Sequence, residues 1–303
     1  MIKGLCITPP VLGRISIGKV VEKNGRHLPE KDDQFTITSQ IQASGGWATH
    51  PLDAVYRGAS PGSKLRTIPV MVMFNDPDLN LRASYCFFDR NSSRPLCSGN
   101  GVQCRRLTAE GIADCPCPGP DGCEFSQGKC KPYGRLNVQI DAADELGTFI
   151  FRTTSYNSIR TLVARLQYYQ AVSGGLLACL PLALRLRGKS TMQSHRTAIY
   201  YVDLTIREGM TLEGAIRQAQ ETHSNRSAFG FDQQALDAAA RAGLANGEFE
   251  ESIEEAHLVT EEFYSDEPPT RRPDESQRPA KKKLGEKLKE MANPGARAAA
   301  ESN

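Results

Sequence analysis

The chain has 303 residues, 39% of them hydrophobic, and its 37 Lys and Arg against 35 Asp and Glu leave a net charge of +2. That length and apolar content suit one large or two modest domains with a proper core, and no run approaches the roughly eighteen consecutive apolar residues of a membrane span. The near-neutral total lacks the strongly basic signature of an autonomous nucleic-acid binder, but the charges separate locally: acidic residues dominate from Glu248 to Glu267 with no Lys or Arg, and basic ones from Arg271 to Lys289.

Met1 opens MIKGLCITPP, without the apolar run or small-residue cleavage site of a signal peptide, so the chain is expected in the reducing cytoplasm, where thiols persist. The first sixty residues mix extended runs, RISIGKVV and QFTITSQIQ, with turn signals at Asn24-Gly25 and Gly45-Gly46, and read as strands joined by loops. In KLRTIPVMVMFNDPDLNLRASYCFFDR, Ile68, Val70, Val72 and Phe74 alternate, NDPD punctuates, and a second run passes through Tyr85 and Phe87. This predicts a β pair.

Six of the nine cysteines follow, within residues 97–131: Cys97, Cys104, Cys115, Cys117, Cys123 and Cys130, set among Gly, Pro and Asp. Such a loop cannot build a core of its own, and a thiolate-bound zinc supplies on the order of 10 kcal/mol of folding energy to a segment of this kind. The expected ligands are Cys104, Cys117, Cys123 and Cys130, with Cys115 and then Cys97 as reserves. All-thiolate ligation in a Gly/Pro loop points to a structural rather than a catalytic metal. Cys6, Cys86 and Cys179 sit singly in apolar surroundings and read as small buried hydrophobes.

KPYGRLNVQI makes a further strand with Leu136, Val138 and Ile140 alternating, and GTFIFRTT another. In SYNSIRTLVARLQYYQAVSGG, Ile159, Leu162, Val163, Leu166 and Tyr169 share a helical face, Ser155 or Asn157 can cap the start, and Gly174-Gly175 stops it. LPLALRLRGKS and IYYVDLTI read as a hairpin with one apolar and one basic face. Residues 211–263 are polar and Ala-rich and read as a helical extension capped at Thr211, and 264–303 as a disordered charged tail. The fold class is therefore α+β: an antiparallel sheet core with one main packed helix over residues 1–210, an inserted zinc knuckle at 97–131, the helical extension and the tail.

Catalytic machinery is hard to find. There is no GxSxG elbow, phosphate loop, HExxH or well-placed GxGxxG, and the five histidines are spread singly. Asp76 and Asp78 in NDPDLN are spaced either to hold a divalent metal, as a metal-dependent hydrolase would need, or to bond their own backbone in a turn. SGNG at 98–101 offers either an anion nest or the turn that aims Cys97 and Cys104. Candidate contacts for nucleic acid or a protein partner are Arg105, Arg106, Lys129, Lys131 and Arg135 around the cysteines, and Arg185, Arg187, Lys189, His195 and Arg196 on the hairpin, with Tyr200 and Tyr201 nearby for stacking. A solvated sheet face is the plainer reading of the same charges.

The runs ITPPVLGRISIGKVVEKNGRHLPEKDDQFTITSQ, KLRTIPVMVMFNDPDLNLRASYCFFD, PLCSGNG, CPCPGPDGCEFSQGKCKPYGRLNV and FIFRTTSYNSIRTLVARLQYYQAVSGGLLACLPLALRLRGKS resemble the recombination directionality factor-like proteins of phages and mobile elements. The resemblance spans about residues 1–215. It implies a non-enzymatic regulator in a bacterial host cell that binds a large serine integrase on DNA and favours excision, with no membrane and no small-molecule substrate. Two other readings stand beside it: a zinc-containing accessory protein that binds single-stranded DNA, and the hydrolase.

Overall fold

The computed structural model describes residues 10–23, 26–43, 46–58, 62–140, 147–190, 198–244, 259, 260, 263 and 264. The chain divides into two compact units, Met1–Phe263 and Tyr264–Asn303. Every element below belongs to the first. Apart from Tyr264, the tail expected at 264–303 lies outside the described residues.

Strands β1 (Val11–Lys23) and β2 (Arg26–Ala43) pair antiparallel with Lys23 opposite Arg26, leaving two residues, Asn24 and Gly25, between them. That is the loop length a tight hairpin needs. β3 (Gly46–Thr49) extends the sheet beside β2, and a helix not anticipated from the sequence follows, α1 (Pro51–Arg57). Local chemistry starts it: His50 Nδ1 accepts from Leu52 N at 3.2 Å, and Pro51 occupies the first helical position. Asp53, 4% exposed, ties α1 back to β2 by accepting from Ile37 N at 2.8 Å.

The expected β pair around NDPD does not form. β4 (Thr67–Val70) and β5 (Leu81–Phe88) lie in different sheets, because Asp76 caps a short helix, α2 (Pro77–Asn80), instead of turning a hairpin. The cysteine-rich stretch differs too. Its first part is a meander, β6 (Pro95–Gly99), β7 (Gln103–Thr108) and β8 (Gly111–Pro116), that continues the large sheet, and only the segment from Cys117 to Cys130 is irregular. β9 (Lys131–Val138), β10 (Thr148–Thr153) and α3 (Tyr156–Val172) then follow as read from the sequence. Ser155 Oγ accepts from Ser158 N at 3.4 Å at the start of α3, and Gly174 and Gly175 adopt positive φ just past its end. The hairpin β11 (Leu182–Lys189) and β12 (Ile199–Ile206) and the helices α4 (Leu212–Ala228) and α5 (Gln233–Leu244) complete the described chain.

The result is a mixed α+β fold. The nine-stranded sheet runs β3-β2-β1-β10-β9-β5-β6-β7-β8 and is antiparallel except where β1 pairs with β10; β12-β11-β4 form a second sheet. One core joins Phe35, Ile37, Leu136, Phe149 and Phe151 of the large sheet to Ile68, Leu182, Leu184 and Leu204 of the small one and to Leu162 and Leu166 of α3. α3 also protects the outer edge of the small sheet, where Val202 N donates to Ser158 Oγ at 3.1 Å. α4 sinks Ala215 and Ala219 into that core, and α5 docks on α2 and the segment before it through Phe74, Leu79 and Ala240. No helix among the described residues is long and apolar enough to cross a membrane.

Candidate metal centre and cationic face

The cysteine-rich end is organised first by its hairpin. Asn100 Oδ1 accepts from Val102 N and Gln103 N, both at 2.9 Å, and Gly101 takes φ +92°, a left-handed backbone glycine adopts without strain. SGNG is thus the turn that sets Cys97 and Cys104 on neighbouring strands. Cys104 pairs with Gly99 on one side and Cys115 on the other, and Cys117 is drawn back as its N–H donates to Val102 O at 2.9 Å. A Cβ on Gly99 would lie 2.6 Å from Cys104 Cβ and 2.8 Å from Cys117 Sγ, so two thiol side chains close over a position that only glycine fits. Residues 124–128 then turn tightly around the buried Ser126, whose Oγ donates to Cys123 O at 3.3 Å.

Burial, with Cys97 beside it, pushes the Cys104 thiol up to about 12. Cys130 is pushed up to about 12 as well, by burial and then by Cys86, Cys123, Cys97 and Cys117. Cys123 shifts the other way: burial opposes its ionisation, but the N–H groups of Ser126 and Phe125, the Ser126 hydroxyl and the Arg106 charge outweigh it and lower its pKa. Thiols 97, 104, 117, 123 and 130 thus share one electrostatic neighbourhood, and Cys86, which the sequence presented as an isolated hydrophobe, borders it. Among the described residues, no three His, Cys, Asp or Glu side chains converge closely enough to hold a metal ion. The donor chemistry nonetheless suits zinc: the groups are all sulfur, and Cys123 is surrounded by donors that favour the thiolate a metal requires.

The expected basic contacts divide into three groups. Arg106 turns toward the thiols, with Nη2 4.0 Å from Cys104 Sγ and its guanidinium 4.2 Å over the Phe125 ring. Arg105 faces Asp114 across the ladder at 3.7 Å, while Lys129 is exposed. The hairpin cations are engaged within the fold: Arg187 pairs with the buried Asp203 at 2.6 Å, Arg165 of α3 meets the same carboxylate at 3.0 Å, Arg185 pairs with Glu208 at 3.3 Å, and Lys189 donates to Asn157 Oδ1 at 2.7 Å. His195 and Arg196 lie outside the described residues.

Lys131 and Arg135 belong to a larger feature. Arg135 on β9 stands directly opposite Arg82 on β5 and Arg152 on β10, which makes a row of three arginines across three adjacent strands. Sequence reasoning missed Arg82 and Arg152, since only the strand register aligns them. Asp76, by contrast, is committed to structure: its Oδ1 accepts from Asp78 N at 3.0 Å and its Oδ2 pairs with Arg241 at 2.5 Å, as the turn reading of NDPDLN expects.

A family model described as Gp3-like, recombination directionality factor-like, matches residues 12–207. The matched span runs from β1 through β12 and contains both the cysteine-rich end and the arginine row. Neither a curated protein nor a solved structure matches the chain.

Proposed function

The chain belongs to the recombination directionality factor-like family, and on that premise we propose that it is a non-enzymatic regulator of site-specific recombination in a phage or mobile element, which binds a large serine integrase and favours excision. The match across residues 12–207, almost the whole sheet body, carries this reading. Mechanistically little is required of the protein. A factor that binds the excision-competent arrangement of an integrase–DNA complex more tightly than the alternative shifts the balance by that difference in affinity, about tenfold for each 1.4 kcal/mol, without chemistry of its own. In this reading Cys104, Cys117, Cys123 and Cys130 hold a structural zinc, with Cys115 and Cys97 in reserve, which fixes the irregular segment that β6–β8 present at one end of the sheet.

The test is binding of the purified protein to duplex and single-stranded DNA across a salt series, with and without the integrase of the same element. A shift seen only with the integrase–DNA complex supports the regulator. A second reading, a single-stranded DNA-binding accessory, draws support from the arginine row, which can follow a phosphate backbone. It requires tight binding to single strands by the protein alone, falling steeply with salt.

A further inference from the structure

Strand register gathers the thiols of the meander around one cation. Phe87, Cys97, Arg106 and Ala113 stand directly opposite one another on β5, β6, β7 and β8, and two residues along Gly99, Cys104 and Cys115 form a second row. Directly opposed residues share a face of the sheet, as do residues two apart on one strand, so Cys97, Cys104 and Cys115 lie on the face that carries Arg106. It is the one cation at these positions of β6–β8. The irregular segment from Cys117 to Cys130 folds onto the same face: Cys117 Sγ lies 2.8 Å from where a Cβ on Gly99 would stand, and the Phe125 ring meets that of Phe87 edge-on at 5.9 Å.

The partners of Arg106 are sulfur and an aromatic ring. Its Nη2 lies 4.0 Å from Cys104 Sγ and its guanidinium 4.2 Å over Phe125, which belongs to the irregular segment. Arg105, on the opposite face of β7, pairs with Asp114, whereas Arg106 forms no ion pair with a carboxylate among the described residues. Burial opposes the Arg106 charge, and Cys97, Cys104 and Cys115 favour it. Its Nε is buried without a hydrogen-bond partner. A buried donor left unpaired costs stability, and so does a cation drawn out of water beside neutral thiols; negative charge on the sulfurs removes both costs. Thiolates bound to a divalent metal carry that charge, since four of them outweigh the two positive charges of the metal.

Resting on the zinc reading above, we propose that Arg106 is the positioning residue and counter-cation of the metal centre: its guanidinium donates to the thiolate sulfurs on β6 and β7, and its stack on Phe125 clamps the irregular segment against β7. The experiment compares full-length wild type, Arg106→Met, Arg106→Lys and Arg105→Met at one neutral pH. Zinc release to a chromophoric chelator is titrated, and the absorption spectrum of the cobalt(II)-substituted protein is recorded. Arg106→Met should weaken zinc binding by about tenfold or more, the usual effect of removing a group that hydrogen-bonds to a metal ligand. It should also move the thiolate-to-cobalt charge-transfer band to longer wavelength, because a sulfur relieved of its donor gives up electron density more readily. Arg106→Lys keeps the charge without the planar fork and should recover part of both effects. Arg105→Met removes the same charge from the other face and should match wild type; Arg106→Gln replaces Arg106→Met if the latter does not fold. Wild-type affinity and an unmoved band in Arg106→Met, or an equal loss in Arg105→Met, would overturn the proposal and leave the zinc reading standing. Wild-type protein that takes up neither zinc nor cobalt would overturn both together.

Discussion

Cys123 differs from the neighbouring thiols Cys104 and Cys130, whose pKa values are raised. The N–H groups of Ser126 and Phe125 converge on its sulfur and lower its pKa against the cost of burial. The purified protein is expected to carry about one equivalent of zinc per chain by elemental analysis, and Cys123→Ser to lose it together with a clear drop in melting temperature. Unchanged metal content would remove Cys123 from the ligand set. His50 makes a separate pH prediction. Burial lowers its pKa below 6.5, and its neutral Nδ1 caps α1. A depressed histidine contributes stability above the unfolded-state pKa, and that contribution is lost as pH falls from about 6.5 toward the lower folded-state value. Stability measured by urea titration should therefore decline between pH 7 and pH 5.5, and His50→Asn, which keeps a capping oxygen without titrating, should flatten that decline. Asp203, 1% exposed between Arg165 and Arg187, is a structural carboxylate; Asp203→Asn should cost about 1–3 kcal/mol of unfolding free energy in the same titration.

Among the elements, α3 couples the two sheets, and its seat on β9 is made by a missing side chain. A Cβ on Gly134 would lie 2.9 Å from Ile159 Cγ1 and 3.3 Å from its Cδ1. Gly134→Ala should therefore push the helix outward and destabilise the protein by about 1–3 kcal/mol, the usual cost of overpacking. Leu166→Ala leaves a cavity in the same interface and should cost about 2–5 kcal/mol by denaturant unfolding. A Gly134→Ala protein of wild-type stability would mean that α3 is free to adjust on the sheet. α3 was also the most legible element, because Ser155, the apolar face through Leu162 and Leu166, and Gly174-Gly175 all act within a few residues of one another. The meander β6–β8 was not legible. Its strands are short, lie at the end of the sheet and include Cys, Gly and Pro without a clear apolar alternation, so their strand character comes from β6 pairing with β5 and from the meander's pairing within itself.

For the whole molecule, the chain belongs to the recombination directionality factor-like family, and the proposed partner makes the decisive prediction: a change in recombination outcome that depends on the integrase and not on turnover. With purified integrase and attachment-site DNA, adding the protein should raise excision and suppress integration; excision yields that do not change would remove the regulator reading. Strands and helices were readable from residue order wherever periodicity and caps act locally, as in β1, β2, α3 and the β11–β12 hairpin. Residue order also carried the family likeness. The fold was needed to see that β4 and β5 belong to different sheets, that Arg185 and Arg187 are engaged by Glu208 and Asp203, and that Arg82, Arg135 and Arg152, up to 70 residues apart, form one row. Alternation fixes which face a side chain takes within its own strand, whereas strand partners and register are set by long-range pairing that a local pattern does not encode.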